Sequence, residues 1–599
     1  MPVQGCTGSA EALQSECVSP IRRLRGVRQL LLAAPVVAAL WVAPAAAADL
    51  LPPQMHTVAG GGTCSGSVTP VNTPTGPVRG PCDGIAATSA QIEDATSVAA
   101  LPGGGFLYVD WGNKAVREVS PLGIVTTVAG TGTQIVGNQT VPSTTDVDCG
   151  PATASGLDDP VAVAALPDGG FLITEHAGER VRMVSPDGTI STVAGIPPAG
   201  SGSCDAPVSE STALSYPDDA VPTAAGGALI ADTGANSVML LPALGGPNAT
   251  LTQIAGGLDQ PAAVSEIPGG SGAYLVADTG ADTVSEVSGE SPGAAVTTVA
   301  GQSGSAGSGG SGGPATAAQL NAPEGVTALS GGGFLIADTG DDTVREVSPA
   351  GVISTIAGQA NQPFDTGDGG AATAAQLDGP TAVAPTINGG ILIADDSNNA
   401  IREITLAPVS TVTLTPSSPN GRNGWYTTKP QVYVSATEDA TVACVLDPGQ
   451  APPVYAAIVP GCTYAVGGSV ISGNGPHTLY VASENSFGDD ENPISVTLKL
   501  DTTRPTVTCK ALQSFRYGQR NAIVSATLRD GVSGPAKRGL VFRVNTHRPG
   551  TRKVTMRGTD LAGLRGSARC KYRVGARPRS RVKKKKAAHP RGRGVKKPA

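Results

Sequence analysis

The Asp-Thr-Gly triplets that close apolar runs, at Asp232, Asp278 and Asp338, are the most explicit chemical triplets in this chain. Peptide hydrolysis by a carboxylate dyad uses this triplet, and it needs two carboxylates sharing one proton. Here each copy follows the same kind of apolar run (ALIAD, LVAD, FLIAD), so each sits at the same turn of a repeated unit and the copies are kept apart. The reading is a turn, in which Asp caps and Gly supplies positive φ. His176 stands beside Glu175 where three of the other copies carry Thr, and such a pair has the makings of a general base. Only His56 and His176 occur between residues 49 and 406, so a converging set of metal-binding groups is not assembled from sequence. Asp341-Asp342 and Asp395-Asp396 lack the spaced oxygen ligands of a calcium loop. Gly-Asp-Gly-Gly at 367–370 and the Gly/Ser run at 301–313 have no helix or lysine near them, which excludes a phosphate loop. No catalytic residue, metal site or cofactor is therefore expected.

The elements that position these residues are short strands. Residues 325–358 hold four apolar runs separated by Gly, Asp and Pro turns, which predicts a four-stranded antiparallel meander, a to d. The unit recurs around 104–130, 169–195, 226–256, 272–301 and 389–406, giving six copies. Strand b ends on an acid each time: Asp110, Glu175, Asp232, Asp278, Asp338 and Asp395. The sixth copy lacks a strand d, and His56-Thr57-Val58-Ala59-Gly60 is expected to supply it, with residues 409–414 as the rival. Closing the ring removes exposed edges. The b–c turns and the long d–a connections (61–95, 131–159, 196–216) then share one face. Inserted loops on a rigid frame usually carry function. The six acids, with His176, Asp341 and Asp342, are therefore the ligand-face candidates.

The segments (F/L)-L-I-A-D-T-G-x-(N/D)-x-V-R-E-V and the following (S/T)-T-(V/I)-A-G resemble NHL-repeat β-propellers over residues 56–406. The resemblance implies an all-β, six-bladed propeller over 49–406. It leaves function open, because the family holds protein-binding, peptide-binding and a few lyase or hydrolase members. Residues 407–504, with a GWYT start and a DTTRP end, resemble bacterial immunoglobulin-like β-sandwich modules, and 505–574 repeat the theme.

Composition sets the context. Gly (80) and Pro (49) exceed a fifth of the 599 residues while aromatics are only 3%, which suits short strands and small-residue turns. Arg22 to Arg28, the apolar run Leu30–Val42 and Ala46-Ala47-Ala48 read as a signal peptide over 1–48. Eight cysteines follow it, and export favours the pairs Cys64–Cys82, Cys149–Cys204, Cys444–Cys462 and Cys509–Cys570. Residues 49–504 hold 44 acids and 11 bases, whereas 505–574 hold 15 bases and 2 acids, and the tail 575–599 has 11 bases and no acid. The tail lacks apolar pattern and is expected to be disordered. An exported chain rarely meets nucleic acid, so an anionic wall or membrane surface is its expected partner. The propeller face is expected to take a protein, peptide or cell-envelope polymer. The function expected is a secreted or cell-surface binding scaffold. The alternatives are a propeller lyase or hydrolase with a metal-assisted axial site, and an architectural wall protein.

Overall fold

A computed structural model describes residues 52–62, 72–73, 76–77, 83–131, 134–136, 139–141, 146–198, 213–244, 250–269, 272–437, 440–458, 469–485 and 487–579. Residues 1–48, read above as a signal peptide, and residues 580–599 lie outside them, as do Cys64, Cys82, Cys204 and Cys462. Among the described residues no helix is long and apolar enough to cross a membrane.

The fold is all-β: a six-bladed propeller followed by two β-sandwich modules. Each blade is a meander in which strands a, b, c and d pair antiparallel in chain order. In blade 1 these are Ala95–Ala100, Phe106–Asp110, Ala115–Val119 and Val125–Ala129. Blades 2 to 5 begin with strands a at Pro160–Ala165, Asp219–Pro222, Pro261–Glu266 and Gly325–Ala328. Blade 6 takes strands a, b and c from Pro380–Pro385, Ile391–Asp395 and Ala400–Thr405. Its outer strand is Gln54–Gly60, which pairs with Ala400–Thr405. The rival segment instead forms Ser410–Thr415 of the first sandwich, paired with Gln431–Ala436. The ring is thus closed by its own N-terminal strand, which covers the edge that strand c of blade 6 would otherwise expose.

The period-2 alternation of strand b builds the ring. Phe106 and Tyr108 pack toward blade 6, with Leu392, Ala394 and Ile401. Leu107 and Val109, on the opposite side of the same strand, pack toward blade 2 with Ile173 and Val184. The same division recurs between every consecutive pair of blades, giving six separate apolar seams. Small β-branched residues and alanines fill these seams, which is why so few aromatics are needed.

A second repeated device explains the Ala-Gly that ends strand d. The ladder between strands c and d shifts register at the same place in all six blades. At Gly301 the backbone has φ +86°, and an added Cβ would lie 2.4 Å from the carbonyl oxygen of Asp282 in the b–c turn. Glycine is required there both by conformation and by the close approach of another backbone.

The first sandwich packs Tyr426, Val432, Leu479 and Leu500 between two sheets. It also holds the closing strand of the ring. Asp489 accepts from Thr405 Oγ1 at 2.5 Å and lies 3.1 Å from His56 Nε2, and Phe487 stacks on the His56 ring. The second sandwich joins its sheets through the Cys509–Cys570 disulfide, with Cα atoms 5.4 Å apart. Cys149 and Cys444 are also oxidised to disulfides. In the strand Arg565–Val574, Cys570, Tyr572 and Val574 point inward while Arg565, Arg569, Lys571 and Arg573 point to solvent. The basic charge of this module is therefore carried on a sheet face rather than in its core.

Gly301→Ala should lower the free energy of unfolding by more than about 1 kcal/mol. Gly351→Ala, at φ +73° with open space around it, should cost less. Urea denaturation of the two variants tests the difference.

Candidate functional site

The acid at the end of each strand b is not displayed on the surface. Asp110, Glu175, Asp338 and Asp395 are fully buried, and Asp232 and Asp278 nearly so. Each carboxylate accepts a backbone N–H from the connection entering its own blade. The donors are Glu93 at 3.0 Å, Ser215 at 2.6 Å, Asp259 at 2.6 Å, Asn321 at 2.7 Å and Asp378 at 2.8 Å for the five aspartates, and Asp158 serves Glu175. In four blades a fully buried strand-c arginine pairs with the acid. Arg117 Nε lies 2.7 Å from Asp110, Arg182 3.4 Å from Glu175, Arg345 3.2 Å from Asp338 and Arg402 3.6 Å from Asp395. Blades 3 and 4 carry Met239 and Ser285 there, and burial raises the Asp232 and Asp278 carboxyls.

The arginine reaches further in three of these blades. Arg117 bonds Asp83, Arg182 bonds Asp146 and Asp148, and Arg402 bonds Asp368. These acids come from the preceding d–a connection, so one guanidinium ties insert, turn and strand together. In blade 5 the matching position is Ser311, whose hydroxyl accepts only from Thr355 N. Arg345 is left with Nε and Nη2 buried and without hydrogen-bond partners.

The Asp-Thr-Gly triplets have the same structural purpose. Thr233, Thr279 and Thr339 each donate through Oγ1 at 2.7 Å to the carbonyl of a proline opening the next blade: Pro261, Pro323 and Pro380. The left-handed residue closing the turn also reaches that blade. Asp282 accepts from Ala322 N at 3.0 Å, Asp342 from Gly379 N at 3.2 Å and Asn399 from Asp94 N at 2.7 Å. Asp341 is buried beside Asn321. Of the nine sequence candidates, His176 is the one that opens onto the ring axis. Its Nδ1 lies 2.6 Å from Asp218 of blade 3, and its ring is 5.2 Å from that of Tyr216.

The cavity on the axis has a volume of about 640 Å³ and is lined by the innermost strand of every blade. The residue following the first proline of each blade entry, or its equivalent, rings the mouth: Thr96, Val161, Asp218, Ala262, Glu324 and Thr381. Asp219 and Asp396 join Asp218 and Glu324 there, and among the described residues no lysine or arginine lines the cavity. Asp219 is committed to Val264 N at 3.0 Å. Glu324 and Asp396 differ from the buried strand-b acids: among the described residues neither side chain has a hydrogen-bond partner. Asp396 even keeps Oδ1 buried and unpaired. Burial, reinforced by Asp218 and Asp396, pushes the Glu324 carboxyl up to about 7. Burial, with Asp94 and Asp378 nearby, pushes Asp396 up to about 6. The hydrogen bond to Asp218 raises the His176 imidazole. Glu324 and Asp218 escaped the sequence reading because only aligning the residue after the proline across all blades exposes them.

No family model and no curated protein matches the chain. Solved β-propeller structures are similar to it. An auxiliary nutrient binding protein from Bacteroides thetaiotaomicron is 14% identical, covering 59% of this chain and 76% of that one at a TM-score of 0.42. A gluconolactonase from Xanthomonas campestris is 13% identical, covering 60% and 96% at 0.37. Virginiamycin B lyase from Staphylococcus aureus is 10% identical, covering 69% and 97% at 0.32.

Asp338→Ala would leave Arg345 buried without its acid and should destabilise by about 3–5 kcal/mol. Ser311→Asp should do the opposite, giving Arg345 the second carboxylate its counterparts have and raising stability by about 1 kcal/mol or more. Chemical denaturation of both variants against the parent provides the check.

Proposed function

We propose that the chain is an exported binding scaffold whose ligand enters the axial cavity from the b–c face and carries positively charged amino groups, as a lysine- or arginine-bearing peptide segment does. We read the blades as NHL-type repeats and the sandwiches as bacterial immunoglobulin-like modules, on the repeated signatures of the sequence. One observation carries the ligand reading. Glu324 and Asp396 stand at the mouth without internal partners among the described residues, while each of the six strand-b acids takes at least one backbone N–H. A buried polar group left unpaired costs stability. Two half-buried carboxyls at one opening, with Asp396 Oδ1 itself buried and unpaired, Asp218 beside them and no lysine or arginine among the described residues lining the cavity, suit a ligand that brings its own N–H donors. A volume of about 640 Å³ falls within the ordinary range for ligand sites.

A second reading rests on the His176–Asp218 pair, which has the arrangement of a base held by an orienting carboxylate. It would serve a lyase or hydrolase using His176 Nε2 at the same mouth. Loss of turnover with retained binding in His176→Ala separates that reading from simple binding.

The binding reading is tested with a fluorescent lysine-rich peptide followed by anisotropy at low salt. Asp218→Asn, Glu324→Gln and Asp396→Asn together should weaken binding at least tenfold. Neutralising Asp168 and Asp187, on the a–b and c–d turns of blade 2 at the other face, should leave it unchanged. Equal loss in both sets contradicts the site. Because the raised Glu324 and Asp396 carboxyls release their protons between about pH 6 and 7, binding should strengthen as pH rises through that window. Affinity that is flat or falls there contradicts the role of these two groups.

We further propose that the basic tail 575–599 holds the protein at an anionic envelope surface, each basic residue near such a surface contributing about 1 kcal/mol. Deleting it should release the protein from envelope fractions. Unchanged retention, resistant to high salt, contradicts the anchor.

A further inference from the structure

The second sandwich module has 15 basic residues and two acids, Asp530 and Asp560, over residues 505–574. In so basic a module, chance would place each acid against a lysine or arginine. Instead the two acids face one another and Asp501, the residue that follows the last strand of the first sandwich, Ile494–Leu500. One carboxylate oxygen from each of the three lies within 4.8 Å of the others. Asp501 and Asp560 are buried, and among the described residues none of the three forms an ion pair. Three carboxylates this close repel one another when ionised.

The hydrogen bonds around the cluster hold it without neutralising it. Asp501 Oδ1 accepts from Thr503 N at 2.9 Å and Oδ2 from Ser533 N at 3.3 Å. Asp530 Oδ1 accepts from Val532 N and Gly534 N, both at 3.0 Å. Asp560 uses only Oδ1, accepting from Leu564 N at 2.8 Å. Its Oδ2 is buried and has no partner. That orphaned oxygen is independent of the clustering itself, and it asks for a proton or a cation. The cluster lies where the modules meet: Arg422 N donates to the Ala562 carbonyl at 2.8 Å, and Asn423 Nδ2 to Leu561 at 2.8 Å.

We propose that Asp501, Asp530 and Asp560 form a calcium site joining the two sandwich modules. All the donors are hard oxygens, and calcium accepts carboxylates, backbone carbonyls and water together in a flexible shell. The sequence alone gave no metal site, because the three aspartates are separated by about thirty residues each and only the fold brings them together. Bound calcium would cancel the repulsion, satisfy Asp560 Oδ2 and fix one module against the other.

The test is calcium titration of the full chain by calorimetry at neutral pH, paired with thermal unfolding in calcium and in chelator. Wild type should bind one calcium at this site, with unfolding shifted up by roughly 4–8 °C when the ion is in large excess over its dissociation constant. Asp560→Asn keeps the acceptor for Leu564 N and should lose at least tenfold in affinity together with most of the shift. Asp530→Asn, at the least buried position, should do the same and serves if the first variant folds poorly. Two results overturn the proposal. One is no calcium heat and identical unfolding in calcium and chelator, with Asp560→Asn simply stabilising by relieving repulsion. The other is calcium binding that neither substitution alters.

Discussion

A buried carboxylate at the end of strand b, taking the N–H of the chain that enters its own blade, is the bond on which the propeller depends. It occurs six times. It fixes the b–c turn against the d–a connection, and in blades 3 to 6 the turn then reaches across to the next blade through a threonine hydroxyl or a left-handed Asn or Asp. The apolar seams supply the bulk of the packing, but they are non-directional. The polar latches set the angle and register at which one blade meets the next. A ring of six closes only if that relation is the same at every seam.

This dependence explains why a triplet with catalytic associations serves as a turn here. Asp-Thr-Gly looks like half of a proteolytic dyad. Its aspartate is buried under a backbone amide and its threonine is spent on a proline carbonyl of the following blade. The same logic separates structural from available acids. Carboxylates with internal partners hold the frame, while Glu324 and Asp396, whose side chains have none among the described residues, line the axial cavity. His176 marks where the frame departs from its own rule. It replaces the threonine latch and bonds a carboxylate rather than a carbonyl, which places an imidazole on the axis.

Much of the fold was legible in the chain. The repeated FLIAD and TVAG runs define strands b and d, and the incomplete sixth copy points to an N-terminal strand to close it. Strand alternation does not reveal which acids are buried, because an acid at a strand end looks alike whether it faces solvent or a guanidinium. Arg117, Arg182, Arg345 and Arg402 each stand seven residues after their acid, but that constant spacing does not say that the pair is buried, and the further acids Asp83, Asp146 and Asp368 come from connections whose lengths differ between blades. Glu324 and Asp218 are hidden for a related reason. Each is one member of a six-residue ring whose other positions are Thr, Val, Ala and Thr, and a single blade gives no sign that this position faces the axis. The Asp501, Asp530 and Asp560 cluster is further still from sequence, since it belongs to two modules at once.

The central claim is that the unpartnered carboxylates at the axial mouth receive a ligand's amino groups. Carbodiimide coupling of a lysine-bearing peptide to the full chain, mapped by mass spectrometry, tests it directly, because it joins amines only to carboxylates held beside them. The account predicts adducts concentrated on Asp218, Glu324 and Asp396 and suppressed by high salt. Adducts spread evenly over exposed acids, or concentrated at Asp168 and Asp187 on the opposite face, would contradict it.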